Sequence, residues 1–235
     1  MRAVLFDLGN TLVSYYTAAD FAPILGKCLR GCISELALET RVDENELLQR
    51  ALALNTEHAD YAVWPLAERL NVLFSDSVSD PTFQERLTDA FLEPIFATAL
   101  LDPDALSILA SLRARGIRTA IVSNTPWGSP AHAWRVELAR HGLLAAVDAA
   151  VFCTDVGYRK PHPAPIERAL NLLGVRAAEA VFVGDDPRWD VAGAQRAGVR
   201  PILLAPQPTE PRTDAVPIAT NLREVLEHVL KDGSP

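Results

Sequence analysis

The chain has 235 residues, 49% hydrophobic and 22% charged, with a formal net charge of −8. That length suits one large domain or a main domain with an insertion, and the composition suits a soluble globular protein. The acidic balance argues against a nucleic-acid partner, which would need clustered Lys and Arg. The first residues read as neither a secretory leader nor a membrane span.

Residues 3–7 read as a buried strand, an apolar run closed by Asp7. The block from 18 to about 98 reads as helical throughout. Phe21, Ile24, Leu25, Cys28, Leu29, Cys32, Ile33 and Leu36 recur at helical spacing. Asp43 precedes a second periodic run through Leu47, Leu48, Ala51 and Leu54, and Pro65 and Pro81 suit the starts of two more helices. Cys28 and Cys32 are one helical turn apart, but no Cys or His completes a metal set, so they read as packed helix cysteines. Three cysteines without a framework point to a reducing compartment, hence a cytoplasmic location.

After Asp102-Pro103 the pattern becomes strand–helix alternation. Helices are predicted over about 103–115, 130–141, 164–173 and 190–197, each stopped by a glycine (Gly116, Gly142, Gly174, Gly198). Strands are predicted at 119–122, 150–153, 181–183 and 202–204. Residues 205–219, with Pro206, Pro208, Pro211 and Pro217, read as a surface loop, and Asn221 with Glu224 caps a last helix. The fold class expected is α/β: a parallel, Rossmann-like sheet with helices on both faces, plus a helical cap domain. The core would comprise 1–15 and 99–235, and the cap 16–98. An insertion beside the ligand-binding edge of such a sheet is placed to act as a lid.

Four signals sit at predicted strand ends: Asp7, Ser123-Asn124, Lys160-Pro161, and Gly184-Asp185-Asp186 with Asp190 behind it. A nucleophilic carboxylate, hydroxyl and amide donors, a lysine and an acidic pair suit magnesium-assisted phosphoryl transfer. In this order and spacing, the segments resemble the haloacid dehalogenase-like (HAD) hydrolase superfamily, in its phosphatase type with a helical cap inserted after the first strand. The resemblance implies that Asp7 is the nucleophile of an aspartyl-phosphate intermediate. Ser123 and Asn124 would bind the phosphoryl group, and Lys160 would neutralise both nucleophile and phosphoryl oxygens. Mg²⁺ would be held by Asp7, the Gly9 carbonyl and Asp185, with Asp186 and Asp190 as a second ligand or orienting groups. The partner would be a small phosphorylated substrate; no oligomeric state is read from the sequence.

The departure is Gly9, where most family phosphatases carry a second Asp that protonates the leaving oxygen. Asp20, Glu57, His58 and Asp60 in the helical block are candidate substitutes. Good leaving groups, such as those of sugar 1-phosphates and acyl phosphates, need that acid least. The alternatives are a 2-haloacid dehalogenase, which also lacks Asp at this place but works without metal, and a catalytically weak or idle phosphate-binding regulator. His162 reads as loop chemistry. Tyr15, Tyr16, Trp64, Trp127 and Trp189 read as core or hinge residues, with Trp127 or Trp189 able to wall the pocket.

Overall fold

The computed structural model describes residues 1–37, 43–74, 81–205 and 216–231. From the amino end, β1 (Ala3–Phe6) leads through a short β2 (Val13–Ser14) into four helices, α1 (Phe21–Glu35), α2 (Glu44–Ala53), α3 (Leu66–Phe74) and α4 (Pro81–Phe96). The chain returns through β3 (Leu100–Leu101) to α5 (Ala105–Ala114), β4 (Arg118–Ser123), α6 (Ala131–Arg140), α7 (Leu143–Ala146) and β5 (Ala149–Phe152). Next come α8 (Cys153–Val156), α9 (Ala164–Leu173), β6 (Ala180–Gly184), α10 (Ala192–Arg196), β7 (Arg200–Leu204), β8 (Ile218–Ala219) and α11 (Leu222–Lys231).

Six strands form one parallel sheet in the order β5-β4-β1-β6-β7-β8. The pleat of β1 sends Val4 and Phe6 to one layer and Ala3 and Leu5 to the other. The first layer is shared with helices α1 to α7 and α11; the second is closed mainly by Ile166, Ala169, Leu170 and Leu173 of α9. A strand buried on both faces reads as a continuous apolar run, which is why β1, β4, β6 and β7 are legible in the sequence. The predicted helix over 164–173 matches α9, ended by Gly174 at φ 62°, a left-handed conformation that costs a residue with Cβ more. Asp43 caps α2 by accepting from the Asn45 and Glu46 amides.

Several predicted boundaries move. The two-residue strands β2 and β3 pair antiparallel at the two junctions between the sheet and the helical run; neither has enough periodicity to be read. β5 ends at Phe152 rather than 153. The Asp155 carboxylate accepts from the Phe152 amide at 2.9 Å and turns Cys153 into the first residue of α8. The expected helix over 190–197 is a π-helical turn at Pro187–Val191 followed by α10. Within the expected loop over 205–219, Ile218 and Ala219 form β8, and Pro206, Pro208 and Pro211 lie outside the described residues. Asn221 does cap α11, accepting from the Glu224 amide, while Glu224 reaches back to the Thr220 amide. Cys28 and Cys32 are free and buried within α1. Among the described residues no helix is long and apolar enough to cross a membrane.

Candidate active site

In a parallel sheet the carboxyl ends of the strands line one edge, and the central strand delivers its next residue between those of its neighbours. β1 pairs with β4 and β6, so Asp7, Ser123 and Asp185 emerge side by side. The Asp7 amide extends the ladder to Val183 O at 2.8 Å, which fixes the nucleophile candidate to the sheet. They line a cavity of about 300 Å³ together with Gly9, Asn10, Tyr15, Tyr16, Asn124, Arg159, Lys160, Asp186, Trp189 and Asp190, among others. That volume lies at the small end of ligand pockets.

Lys160, from the connection between α8 and α9, is 1% exposed and reaches Asp7 Oδ1 and Asp190 Oδ1, both at 2.6 Å. Burial works against its charge. The Asp190 and Asp7 carboxylates and their hydrogen bonds outweigh that and hold the ammonium above its ordinary pKa. Asn124 holds the lysine's backbone in a reciprocal clamp, its Oδ1 accepting from Lys160 N at 2.8 Å and its Nδ2 donating to Lys160 O at 3.0 Å. The side chain expected to touch substrate therefore spends its amide on positioning Lys160. Ser123, 6% exposed, makes only a long 3.3 Å bond to Asn124 O, so its hydroxyl remains available to the cavity.

Asp7, Asp185 and Asp190 each bring a carboxylate oxygen within 4.8 Å of the others. Burial, then the charges of Asp7 and Asp190, push the Asp185 carboxyl up to about 7. Asp190 is raised as well, burial outweighing the attraction of Lys160. Three converging carboxylates facing one lysine form a site that a hard divalent cation fits, since oxygen donors and uncompensated negative charge are what such a cation needs. Gly184 makes the cluster possible: a Cβ there would collide with the Asp190 carboxyl. Asp190 thus belongs to the cluster. Asp186 does not; its Oδ1 accepts from the Arg188 and Trp189 amides and caps the turn. Its own amide donates to Asp190 Oδ2 at 3.0 Å, so it orients Asp190 through the backbone.

Gly9 lines the cavity without a positive φ, and a Cβ added to it meets nothing within 4 Å. None of the proposed substitute acids reaches that space. Asp20 bonds Thr17, Glu57 pairs with Arg188 at 2.8 Å, Asp60 accepts from the Ala62 amide, and His58 lines a different cavity beside Glu57. The aromatics divide. Trp189 walls the pocket, whereas Trp127 is buried and stacked on Phe91 at 5.5 Å. Tyr15 and Tyr16, expected in core or hinge, line the cavity; the Tyr15 hydroxyl is buried without a hydrogen-bond partner. Burial, with Glu137 and Asp7 nearby, holds that hydroxyl well above the ordinary tyrosine range. His162 stacks on Tyr158 and accepts from the Ala164 amide, away from the cavity lining. Arg159 also lines the cavity; its place beside Lys160 was the one available sequence signal.

A family model described as haloacid dehalogenase-like hydrolase matches residues 1–198. A phosphoglycolate phosphatase of Rhodospirillum rubrum is 34% identical over 213 residues, spanning 87% of this chain and 79% of that protein. The crystal structure of a 2-haloacid dehalogenase from Pseudomonas syringae superposes with a TM-score of 0.70 at 26% identity, covering 99% of this chain and 100% of that one. The structure of a HAD phosphatase from Thermococcus onnurineus has the same fold, with a TM-score of 0.72 at 23% identity, covering 97% of this chain and 98% of that one.

Proposed function

The chain belongs to the haloacid dehalogenase-like hydrolase family, and from that premise we propose that it is a Mg²⁺-dependent phosphatase of a small phosphorylated metabolite, working through an aspartyl-phosphate on Asp7. The observation that carries this reading is the trio Asp7, Asp185 and Asp190 converging around Lys160 in one cavity. Displacing halide from carbon requires no cation, and three carboxylates would only repel an anionic haloacid. With a cation and a phosphoryl group the same charges become useful. The phosphatase name of the Rhodospirillum rubrum relative supports the reading.

Asp7, Asp185 and the Gly9 carbonyl would hold Mg²⁺, with Asp190 beside them. The ion would supply charge neutralisation for the phosphoryl oxygens. Lys160 holds Asp7 Oδ1, which leaves Oδ2 to attack phosphorus. The P–O ester bond breaks, the alcohol leaves with a proton from solvent, and the Ser123 hydroxyl holds a phosphoryl oxygen. Water then attacks the phosphorus of the aspartyl-phosphate, releasing phosphate and returning the Asp7 carboxylate. We read residues 16–98 as a cap over a core of 1–15 and 99–235, and the location as cytoplasmic.

The test is a screen of phosphate esters with and without Mg²⁺, beside chloroacetate. Phosphate release that stops in EDTA and returns with Mg²⁺ is expected. Halide release from chloroacetate that is indifferent to EDTA contradicts the reading in favour of a dehalogenase.

Gly9→Asp should fold, because the backbone and the free space admit the side chain. It should raise kcat/KM for an alkyl phosphate by at least about tenfold, part of the ~10²–10⁴-fold that acid–base help contributes. An aryl phosphate, whose leaving group needs no proton, should gain much less. Equal change for both esters would show that protonation is not the deficit.

A further inference from the structure

Two basic residues line the cavity among the described residues, and they are used differently. Lys160 is paired with Asp7 and Asp190. Arg159 has no carboxylate partner and no side-chain hydrogen bond among the described residues, and its Nε is buried without a partner. Its guanidinium lies over the Trp189 ring, 5.6 Å from the centroid. Arg188 lies closer to the same ring, at 4.1 Å, and the ring offers the Arg159 N–H donors no carboxylate or carbonyl acceptor.

The site holds Arg159 in place from behind. Its backbone amide donates to Tyr61 O at 2.9 Å, and the preceding residue forms a β-bridge with Ala62. Arg69, 2% exposed, lies close enough that its pKa is pushed down to about 10, by burial first and then by the Arg159 charge. Arg69 satisfies itself on the Leu54, Thr56 and Trp64 carbonyls, and the nearby Glu57 is paired with Arg188. Among the described residues no carboxylate therefore answers Arg159, while the acidic trio lines the same cavity. A buried, unanswered donor is costly unless a ligand satisfies it.

Resting on the phosphatase reading, we propose that Arg159 binds a second anionic group of the substrate, a carboxylate or a second phosphate, held apart from the phosphoryl group undergoing transfer. The preferred substrates are then small phosphate esters with negative charge at both ends. A planar fork suits either anion, which accepts two parallel N–H bonds.

The experiment measures kcat/KM of the Mg²⁺-loaded protein on three esters: ethyl phosphate, 2-phosphoglycolate and ethylene glycol bisphosphate. The last two separate a carboxylate from a second phosphate. The unaltered protein should favour one of the doubly charged esters over ethyl phosphate, and high salt should shrink that preference. Arg159→Gln should lower the preference roughly 10- to 100-fold, the scale of one charged hydrogen bond, chiefly through KM. Arg159→Lys should recover part of it, as a point charge without the fork. If the unaltered protein shows no preference, or if Arg159→Gln slows all three esters equally, the second-anion site is overturned while the phosphatase reading stands. If none of the esters yields phosphate, the phosphatase reading fails and this inference falls with it. Should Arg159→Gln not fold, the preference of the unaltered protein, its salt dependence and the Lys variant still decide.

Discussion

Asp7→Asn is expected to abolish phosphate release, by several orders of magnitude, the scale seen when a catalytic nucleophile is removed. The amide is isosteric but a poor nucleophile, and it removes one carboxylate from the trio. The fold should survive. The Asn oxygen can still accept from Lys160, and the ammonium keeps Asp190 at 2.6 Å. Losing one negative charge also relieves Asp185, whose raised pKa owes part of its shift to Asp7. An unchanged circular dichroism spectrum and a melting temperature at or above that of the unaltered protein should therefore accompany the loss of activity. Near-normal turnover, in a variant shown by mass spectrometry to be free of deamidation, would remove Asp7 from the nucleophile role.

Lys160→Met should cost both activity and stability. Methionine fills the volume, but it leaves the Asp7 and Asp190 carboxylates buried beside Asp185 without the ammonium that pairs with both. Breaking a buried ion pair by removing one partner typically costs about 3–5 kcal/mol. In a domain of this size each kcal/mol moves the melting temperature by roughly 2–4 °C, so a drop on the order of 10 °C is expected in EDTA. The deficit should narrow as pH falls. A carboxyl raised in the folded state, as Asp185 already is at about 7, binds its proton more readily folded than unfolded, so stability rises as pH drops from its folded pKa towards its ordinary value of 3.8 and levels off below that. Asp190, which the Lys160 charge now holds down, would rise further without the lysine and steepen that trend. Melting curves at several pH values check it; a melting temperature unchanged in EDTA at neutral pH would show that Lys160 does not offset the buried acids.

The sheet was legible because its central strands are buried on both faces. Ala3–Phe6 and Val181–Val183 carry apolar residues throughout, and no polar alternation blurs their limits. Helix ends were legible at glycines such as Gly142 and Gly174, both left-handed. The ribbon of β2 and β3 was not, since two residues carry no period and the pairing joins Val13 to Leu101, far apart in the chain. Cys153 looked like strand because it is apolar and follows Phe152; a hydrogen bond from the Phe152 amide to Asp155 decides otherwise.

The site divides along the same line. Asp7, Ser123 and Asp185 could be brought together on paper because strand ends in a parallel sheet share an edge. The duties of individual side chains depend on direction, which no spacing reveals. Asn124 and Ser123 are neighbours in sequence, yet one clamps the Lys160 backbone and the other lines the cavity with a hydroxyl held by a single long bond to Asn124 O. Asp186 and Asp185 are equally acidic, yet Asp186 caps a turn while Asp185 joins the trio. Tyr15, Tyr16 and Arg159 enter the cavity by packing alone.

The central claim is that phosphate passes through Asp7. Its most direct test is to quench a steady-state reaction with borohydride, which reduces an acyl-phosphate to an alcohol, and to sequence the peptides by mass spectrometry. The account predicts homoserine at position 7, formed only when both the ester and Mg²⁺ are present. Homoserine at another acidic residue, or unmodified Asp7 under conditions that trap acyl-phosphates in a control enzyme while this one is turning over, would contradict it.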